Sequence, residues 1–373
     1  MNNFYHIDLN IVNTCNMNCK YCYEPTSIRS NKVSEIDYNL LDKIIQRINL
    51  LNSKDSFIRK FYNGININFW GGEPTISYDV IKYYLDNLKG DYTFFIYSNG
   101  YRYNDKLKQL LLENKERLVI QISYDFQPIH DMFRITKDDK ITSDSILNTI
   151  DWLYENNFKF TIKSTLPYEG FKYLYEAYKD CEKFSKKYNM SYQYNPTIVQ
   201  YINRNQTKES IDKYKIDINE SLIKILEDEL ELAKNHKKTY FGMFNYNRAL
   251  CSAGYSLISI DIDGKLYKCH GTLYSDYKSD HFIVDVYNDR FIEKLKESFD
   301  LHKDTLVEKD ECKTCFATYC HRCNAEHYSN STKSKYIDRW RDFSNNKPYC
   351  DFYKTISKYS IAFSRIIKNE TGG

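Results

Sequence analysis

The chain lacks a charge bias, a long apolar run and an internal repeat, and each absence removes a class of function. Its 53 Lys and Arg stand against 50 Asp and Glu, a formal net charge of +3. That balance provides neither the basic footprint of a nucleic-acid-binding domain nor a polybasic membrane patch. No basic segment followed by an apolar stretch opens the sequence at "MNNFYHIDLNIVN", and no run elsewhere has the length of a membrane span. A cytoplasmic protein without nucleic-acid or membrane partners is expected. Low-complexity tracts are missing too, as is any repeat of about 20 to 50 residues, the period of solenoids and arrays.

Cysteine, by contrast, is plentiful: there are eleven in 373 residues. In a reducing compartment these are expected to be metal ligands or redox groups rather than disulfides. The length predicts one large α/β unit with a smaller appendage. Short β-branched and aromatic runs at 6–12, 65–70, 92–98, 118–125, 159–166 and 191–199 are each followed by a helix-like pattern. Six such βα repeats predict a parallel sheet closed into a partial barrel. Ser34 and Asp37 suggest a capping box for the first helix, whose core stripe is Ile36, Leu40, Leu41, Ile44, Ile48 and Leu51. The charged helix from Lys208 to Lys238 reads as a solvated face. From Cys251 to Cys350 helical periodicity fades and seven cysteines appear, which places a domain boundary near 236–250.

Chemistry is concentrated at "NTCNMNCKYCYEP", where Cys15, Cys19 and Cys22 lie three and two residues apart just after the first strand. Three thiolates at this spacing can hold three corners of a cubane iron–sulfur cluster and leave the fourth iron open to a small molecule. A structural zinc site would want a fourth protein ligand, and none is near. Strand two ends in Gly71-Gly72-Glu73-Pro74, where glycines permit close backbone approach and a carboxylate can receive an ammonium group.

Together, C-x3-C-x-Tyr-C and GGEP resemble the radical S-adenosylmethionine (SAM) superfamily. The resemblance implies a partial (β/α)6 TIM-type barrel over residues 1–240. Cys15, Cys19 and Cys22 become cluster ligands, with Tyr21 beside them and Gly71, Gly72 and Glu73 near the methionine amino group of SAM. "YSNG" looks like the family's strand-three motif, with Ser98 and Asn99 near the cofactor. "SYDFQPIHDMFR" looks like its next segment and adds Ser123, Asp125 and Arg134, with Phe126 where the family has glycine. Arg134 suits a bidentate pairing with the methionine carboxylate. Their alternative reading is ordinary loop capping.

The C-terminal thiols, Cys251, Cys269, Cys312-x2-Cys315-x4-Cys320-x2-Cys323 and Cys350, resemble the SPASM domain, a cysteine-rich extension with two auxiliary clusters. That likeness implies a domain over 241–352 and a helix or tail over 353–373. It assigns Cys312, Cys315, Cys320 and Cys350 to one cluster and Cys251, Cys269 and Cys323 to the other. The second set lacks a fourth cysteine, so its cluster is either open to substrate or completed by a different side chain. Zinc is the alternative metal for this half, although the four residues between Cys315 and Cys320 are fewer than zinc ribbons usually have. Cys181, on a helical pattern, reads as a structural thiol.

Three [4Fe-4S] clusters, SAM and an electron donor such as flavodoxin or ferredoxin are thus expected. The implied reaction generates a 5′-deoxyadenosyl radical and oxidatively modifies a peptide or protein. His270, directly after Cys269, occupies the position where the resembling sulfatase maturases carry an aspartate base. The histidine looks more like maturases that form thioether or carbon–carbon links in ribosomally made peptides. It reads as a base or as a residue supporting the cluster. With fourteen residues before Cys15, no leader-binding domain is expected, so the core or a separate protein must recognise the substrate. Oxidation of Cys or Ser to formylglycine is the alternative reaction. A multi-cluster electron carrier is the alternative of another class.

Overall fold

The computed structural model describes residues 4–22, 37–199, 207–244, 253–273, 278–304, 315–317 and 347–371. In chain order, β1 (Phe4–Asn10), α1 (Tyr38–Asn52), β2 (Gly64–Trp70), α2 (Tyr78–Asn87), β3 (Tyr92–Ser98), α3 (Asp105–Glu113) and β4 (Leu118–Ser123) alternate as predicted. There follow α4 (Ile129–Phe133), α5 (Ser143–Glu155), β5 (Phe160–Lys163), β6 (Thr165–Leu166), α6 (Leu174–Lys187), β7 (Thr197–Ile198) and α7 (Lys208–Lys234). The last described elements are β8 (Leu257–Ile260), β9 (Lys265–Tyr267), β10 (Phe282–Asp285), α8 (Phe291–Asp304) and α9 (Lys347–Thr371).

Two compact units result. The first comprises Met1–Ile122, Thr136–Thr161 and Ser252–Val307; the second comprises Ser123–Ile135, Ile162–Cys251 and Glu308–Gly373. The first unit carries the main sheet, ordered β10-β9-β8-β1-β2-β3-β4 and continuing into β5. Pairing is parallel from β8 through β4 and antiparallel along β8-β9-β10. Parallel strands joined through helices make an α/β fold of the partial-barrel kind. Residues after 252 therefore add three strands to the sheet that the N-terminal half begins.

Strand periodicity explains which face does what. In "GININFW", Ile65, Ile67 and Phe69 are fully buried, and Phe69 packs against Tyr84 of α2. Asn66, Asn68 and Trp70 occupy the opposite face, because successive side chains alternate. The parallel register sets Asp8 beside both Asn68 and Ser259. That register makes the inner face polar.

Asp37 caps α1 by accepting the N–H groups of Asn39 at 3.0 Å and Leu40 at 3.2 Å, an arrangement worth about 1 kcal/mol. Leu41, Ile44, Ile48 and Leu51 are buried as expected, whereas Ser34 and Ile36 lie outside the described residues. The stripe also hides a charge: Arg47 donates to the carbonyls of Val286 and Asn288, each at 2.8 Å, and lies over the Phe291 ring. This ties α1 to the segment after β10.

The last two predicted strands shorten. Ser164 interrupts the run at 159–166, its hydroxyl donating to the Tyr124 carbonyl at 2.8 Å. Of 191–199, Tyr194 makes a single parallel bridge to Phe241, and Thr197–Ile198 forms a strand, in a separate two-stranded sheet with β6. Pro196 just before it offers no N–H for a longer ladder. In the second unit α7 is more than a solvated face. Ile218, Leu222 and Ile225 are fully buried, and buried Glu229 accepts from Tyr178 Oη and the Tyr240 and Phe241 N–H groups. Cys181 is fully buried on α6, and burial raises its thiol pKa, as suits a structural thiol. Among the described residues no helix is long and apolar enough to cross a membrane.

Candidate functional site

Cys15, Cys19 and Cys22 lie on the loop leaving β1, all three half-buried. Local hydrogen bonds shape this loop: the Cys22 N–H donates to the Cys19 carbonyl at 3.1 Å, and the Met17 N–H to Cys15 Sγ at 3.5 Å. Met17, almost fully buried, also bridges to Thr136. Burial, then the charge of nearby Glu73, pushes the Cys15 thiol up to about 12, and Cys19 and Cys22 add to the rise. A thiol held protonated in this way needs a cationic partner to become a thiolate. Among the described residues no three His, Cys, Asp or Glu side chains stand at single-ion spacing. Cysteine thiolates are the soft donors that iron–sulfur clusters take, so the chemistry of this donor set fits a cluster.

The glycines after β2 serve the loop itself. The Gly72 N–H donates to the Val12 carbonyl and the Glu73 N–H to the Thr14 carbonyl, both at 2.9 Å. A Cβ on Gly71, whose φ is +133°, would fall 2.2 Å from Val12 O; one on Gly72 would fall 2.4 Å from Thr14 O. Any larger residue would push the cysteine loop off the strand.

Glu73 is 1% exposed. Its Oε1 accepts from Ser98 Oγ at 2.8 Å, Thr75 Oγ1 at 2.6 Å and the Thr75 N–H at 3.1 Å, while Oε2 accepts from the Asn99 N–H at 2.7 Å. Asn99 Nδ2 in turn reaches Asn16 Oδ1 at 2.8 Å and Cys15 Sγ at 3.7 Å. The loop and the ends of β2 and β3 therefore form one connected polar layer. Sequence reasoning passed over Asn16, whose Nδ2 also donates to the Tyr101 carbonyl; nothing in its spacing marked it. Tyr21 sits half-buried on the same loop.

Ser123, Asp125 and Arg134 belong to the second unit. Asp125 is fully buried, accepts the Thr165 N–H at 2.8 Å and lies 4.0 Å from Arg134 Nη1. Its own N–H donates to His130 Nδ1 at 3.3 Å, and burial followed by the Arg134 charge keeps that imidazole far below its ordinary pKa. Phe126, at the family's glycine position, holds φ +64° and is fully buried against Tyr124, Phe184, Tyr192 and Tyr194. Ser123 ends β4, half-buried.

His270 follows Cys269, whose Sγ accepts the Gly271 N–H at 3.3 Å. The ring's Nδ1 stands 2.7 Å from Asp8 Oδ2, and its face stacks on Trp70 with centroids 4.2 Å apart. Neither Asp8 nor Trp70 was singled out from sequence; the available signal was a carboxylate inside the apolar run "HIDLNIV". Of the other C-terminal thiols, Cys315 is half-buried and Cys350 is exposed in the first turn of α9. Cys251, Cys312, Cys320 and Cys323 lie outside the described residues.

Residues 9–181 match the family model described as the radical SAM superfamily. This stretch is a radical SAM domain. The chain is 28% identical over 290 residues to the radical SAM cyclopropyl synthase TigE of Paramaledivibacter caminithermalis, covering 71% of this chain and 57% of TigE. To the uncharacterized protein MJ0907 of Methanocaldococcus jannaschii it is 26% identical over 187 residues, covering 49% of this chain and 60% of that one. The chain thus spans less than two thirds of each of these curated relatives. In structure it is similar to native anSMEcpe with bound AdoMet, with a TM-score of 0.67 at 17% identity, covering 98% of this chain and 99% of that one. It is also similar to SuiB of Streptococcus suis bound to precursor peptide SuiA, with a TM-score of 0.57 at 11% identity, covering 89% and 74%. At such identities the likeness is one of fold, and it reaches well beyond the radical SAM domain.

Proposed function

We propose that the protein is a SPASM-type radical SAM enzyme that modifies a peptide, forming a thioether or carbon–carbon crosslink in a ribosomally made precursor. The reading is carried by the closure of the Cys15–Cys22 loop onto Gly72, Glu73 and Asn99 within a matched radical SAM domain. Fold likeness supports the peptide: anSMEcpe was solved with the Kp18Cys peptide and SuiB with a precursor peptide.

Cys15, Cys19 and Cys22 would hold the SAM-binding [4Fe-4S] cluster. Gly71, Gly72, Glu73, Ser98 and Asn99, with Tyr21, Ser123, Asp125 and Arg134, would bind and orient SAM. When bound, cluster and SAM together supply reductive cleavage to methionine and a 5′-deoxyadenosyl radical. The chain's own share is orientation and exclusion of water, with His270 taking the proton released as the substrate is oxidised. Cys251, Cys269, Cys312, Cys315, Cys320, Cys323 and Cys350 would hold two auxiliary clusters, and a flavodoxin or ferredoxin in the cytoplasm would supply electrons.

Formylglycine-type oxidation of a Cys or Ser is the second reading, favoured by the buried carboxylate behind His270, which suits a base. Iron and sulfide analysis of anaerobically purified protein, then mass spectrometry for 5′-deoxyadenosine after dithionite and SAM, tests the class. About twelve irons per chain and the nucleoside are expected. A colourless zinc protein yielding no nucleoside would overturn it.

A further inference from the structure

Pairing puts three side chains in one row on the inner face of the sheet. Trp70 of β2 lies beside Tyr97 of β3, since Phe69 is registered with Ile96, and Tyr97 lies opposite Gln121 of β4. Trp70 comes one residue before Gly71-Gly72-Glu73 and Tyr97 one before Ser98-Asn99, so the row runs just beneath the residues read as holding SAM. The row is open. Along β3 and β4 the helix-facing Phe94, Ile96, Ile120 and Ile122 are fully buried, whereas the inward Phe95, Tyr97, Val119 and Gln121 are only half-buried. A barrel filled by its own side chains would bury both faces.

Tyr97 is fixed in place but not satisfied. Its ring stacks on the Trp70 indole with centroids 4.3 Å apart and an interplanar angle of 19°, a pairing that favours a single ring orientation. Its hydroxyl nonetheless makes no hydrogen bond among the described residues, and neither does the Gln121 side chain. One layer further down the polar groups take up each other: Asn68 donates to Asp8 at 2.7 Å and hydrogen-bonds His6, and Asp8 also meets His270. The upper row therefore presents a phenol and a carboxamide, each able to donate and to accept. It offers no charge to an ionic group. A neutral amide matches it, with one donor and one acceptor of its own.

We infer that Tyr97 and Gln121 are substrate-contacting residues that hydrogen-bond a backbone amide of the peptide, while Trp70 holds the Tyr97 ring in place for that contact. The inference deepens the reading of the protein as a peptide-modifying enzyme and rests on it. A site built to pair with a substrate N–H or carbonyl discriminates through what is left unpaired when one partner is missing. Contact in this row sets the peptide backbone at the end of the sheet that carries the cysteine loop.

The test reads binding rather than turnover. The full chain, reconstituted anaerobically and labelled with fluorotryptophan, carries three tryptophans, and the Trp70 fluorine signal is assigned by its loss in Trp70→Phe. The probe is a library of random linear peptides, from which binders to the wild-type protein are selected in the presence of SAM and then titrated by fluorine NMR. Binding should move the Trp70 signal. Tyr97→Phe, which keeps the ring on Trp70, and Gln121→Leu should each weaken the titration midpoint about tenfold, near the upper limit for one neutral hydrogen bond. Binders that leave the Trp70 signal unmoved, or that hold Tyr97→Phe as tightly as wild type, overturn the inference, and Tyr97→Phe decides it even if Gln121→Leu fails to fold. A library that yields no binder overturns the peptide reading along with it, whereas binders indifferent to Tyr97 and Gln121 overturn this inference alone.

Discussion

The Asn99 N–H donates to the Glu73 carboxylate at 2.7 Å, joining the end of β3 to the end of β2 in a place where only 1% of Glu73 meets solvent. Burial raises the Glu73 carboxyl above its ordinary 4.5, against the lowering effect of hydrogen bonds from Asn99, Thr75 and Ser98. A raised carboxyl contributes stability that is present below the ordinary value and is lost as pH rises through the folded one. Glu73→Gln should therefore flatten the decline in urea midpoint as pH rises above 4.5. It should also lower the whole curve by about 1 to 3 kcal/mol, because an amide NH2 must face a donor. A variant with the wild-type slope would sink this account.

Gly72→Ala puts a methyl group 2.4 Å from Thr14 O and 3.1 Å from Cys15 N, both backbone atoms that cannot swing aside. The cysteine loop must move. We expect a loss of about 1 to 3 kcal/mol from overpacking, and iron content reduced by the share of one cluster. Full iron in Gly72→Ala would show that the loop tolerates the shift.

Phe126 sets two effects against each other. The left-handed conformation costs a non-glycine residue about 1 to 2 kcal/mol, yet burying the ring among four aromatics outweighs that cost, since truncating a buried Phe loses about 3 to 5 kcal/mol. Phe126→Ala should show the full loss in denaturant midpoints, and Phe126→Gly should recover part of it by relieving φ. If the glycine variant is the less stable of the two, backbone strain plays no part here.

Cys19→Ala should abolish 5′-deoxyadenosine formation and lower iron by about one third, on the basis of three four-iron clusters. Cys312→Ala should lower iron while preserving SAM cleavage in part. Iron analysis and nucleoside mass spectrometry on the same samples separate these outcomes, and continued SAM cleavage in Cys19→Ala would contradict the assignment of that loop.

His270→Ala should leave 5′-deoxyadenosine formation in place while lowering modified product by about 100-fold, within the range a general base contributes. Unchanged product would remove the histidine from the chemistry.

Chemistry carried by contiguous residues was legible in the sequence. Cys15, Cys19 and Cys22 sit within one loop, GGEP ends one strand, and the apolar alternation of "ININFW" sets the faces of β2, because local spacing and period are properties of the chain itself. The tertiary structure decided what depends on strand order and register. It brought β8 alongside β1, so that Asp8 lies beside Ser259 and under His270, residues more than 250 positions apart. The alternation of a single strand says which residues share a face, but only the pairing of one strand with another says what they meet there. For the same reason Glu73 and Asn99, read separately from their motifs, became one hydrogen-bonded layer under the cysteine loop only once β2 and β3 were paired.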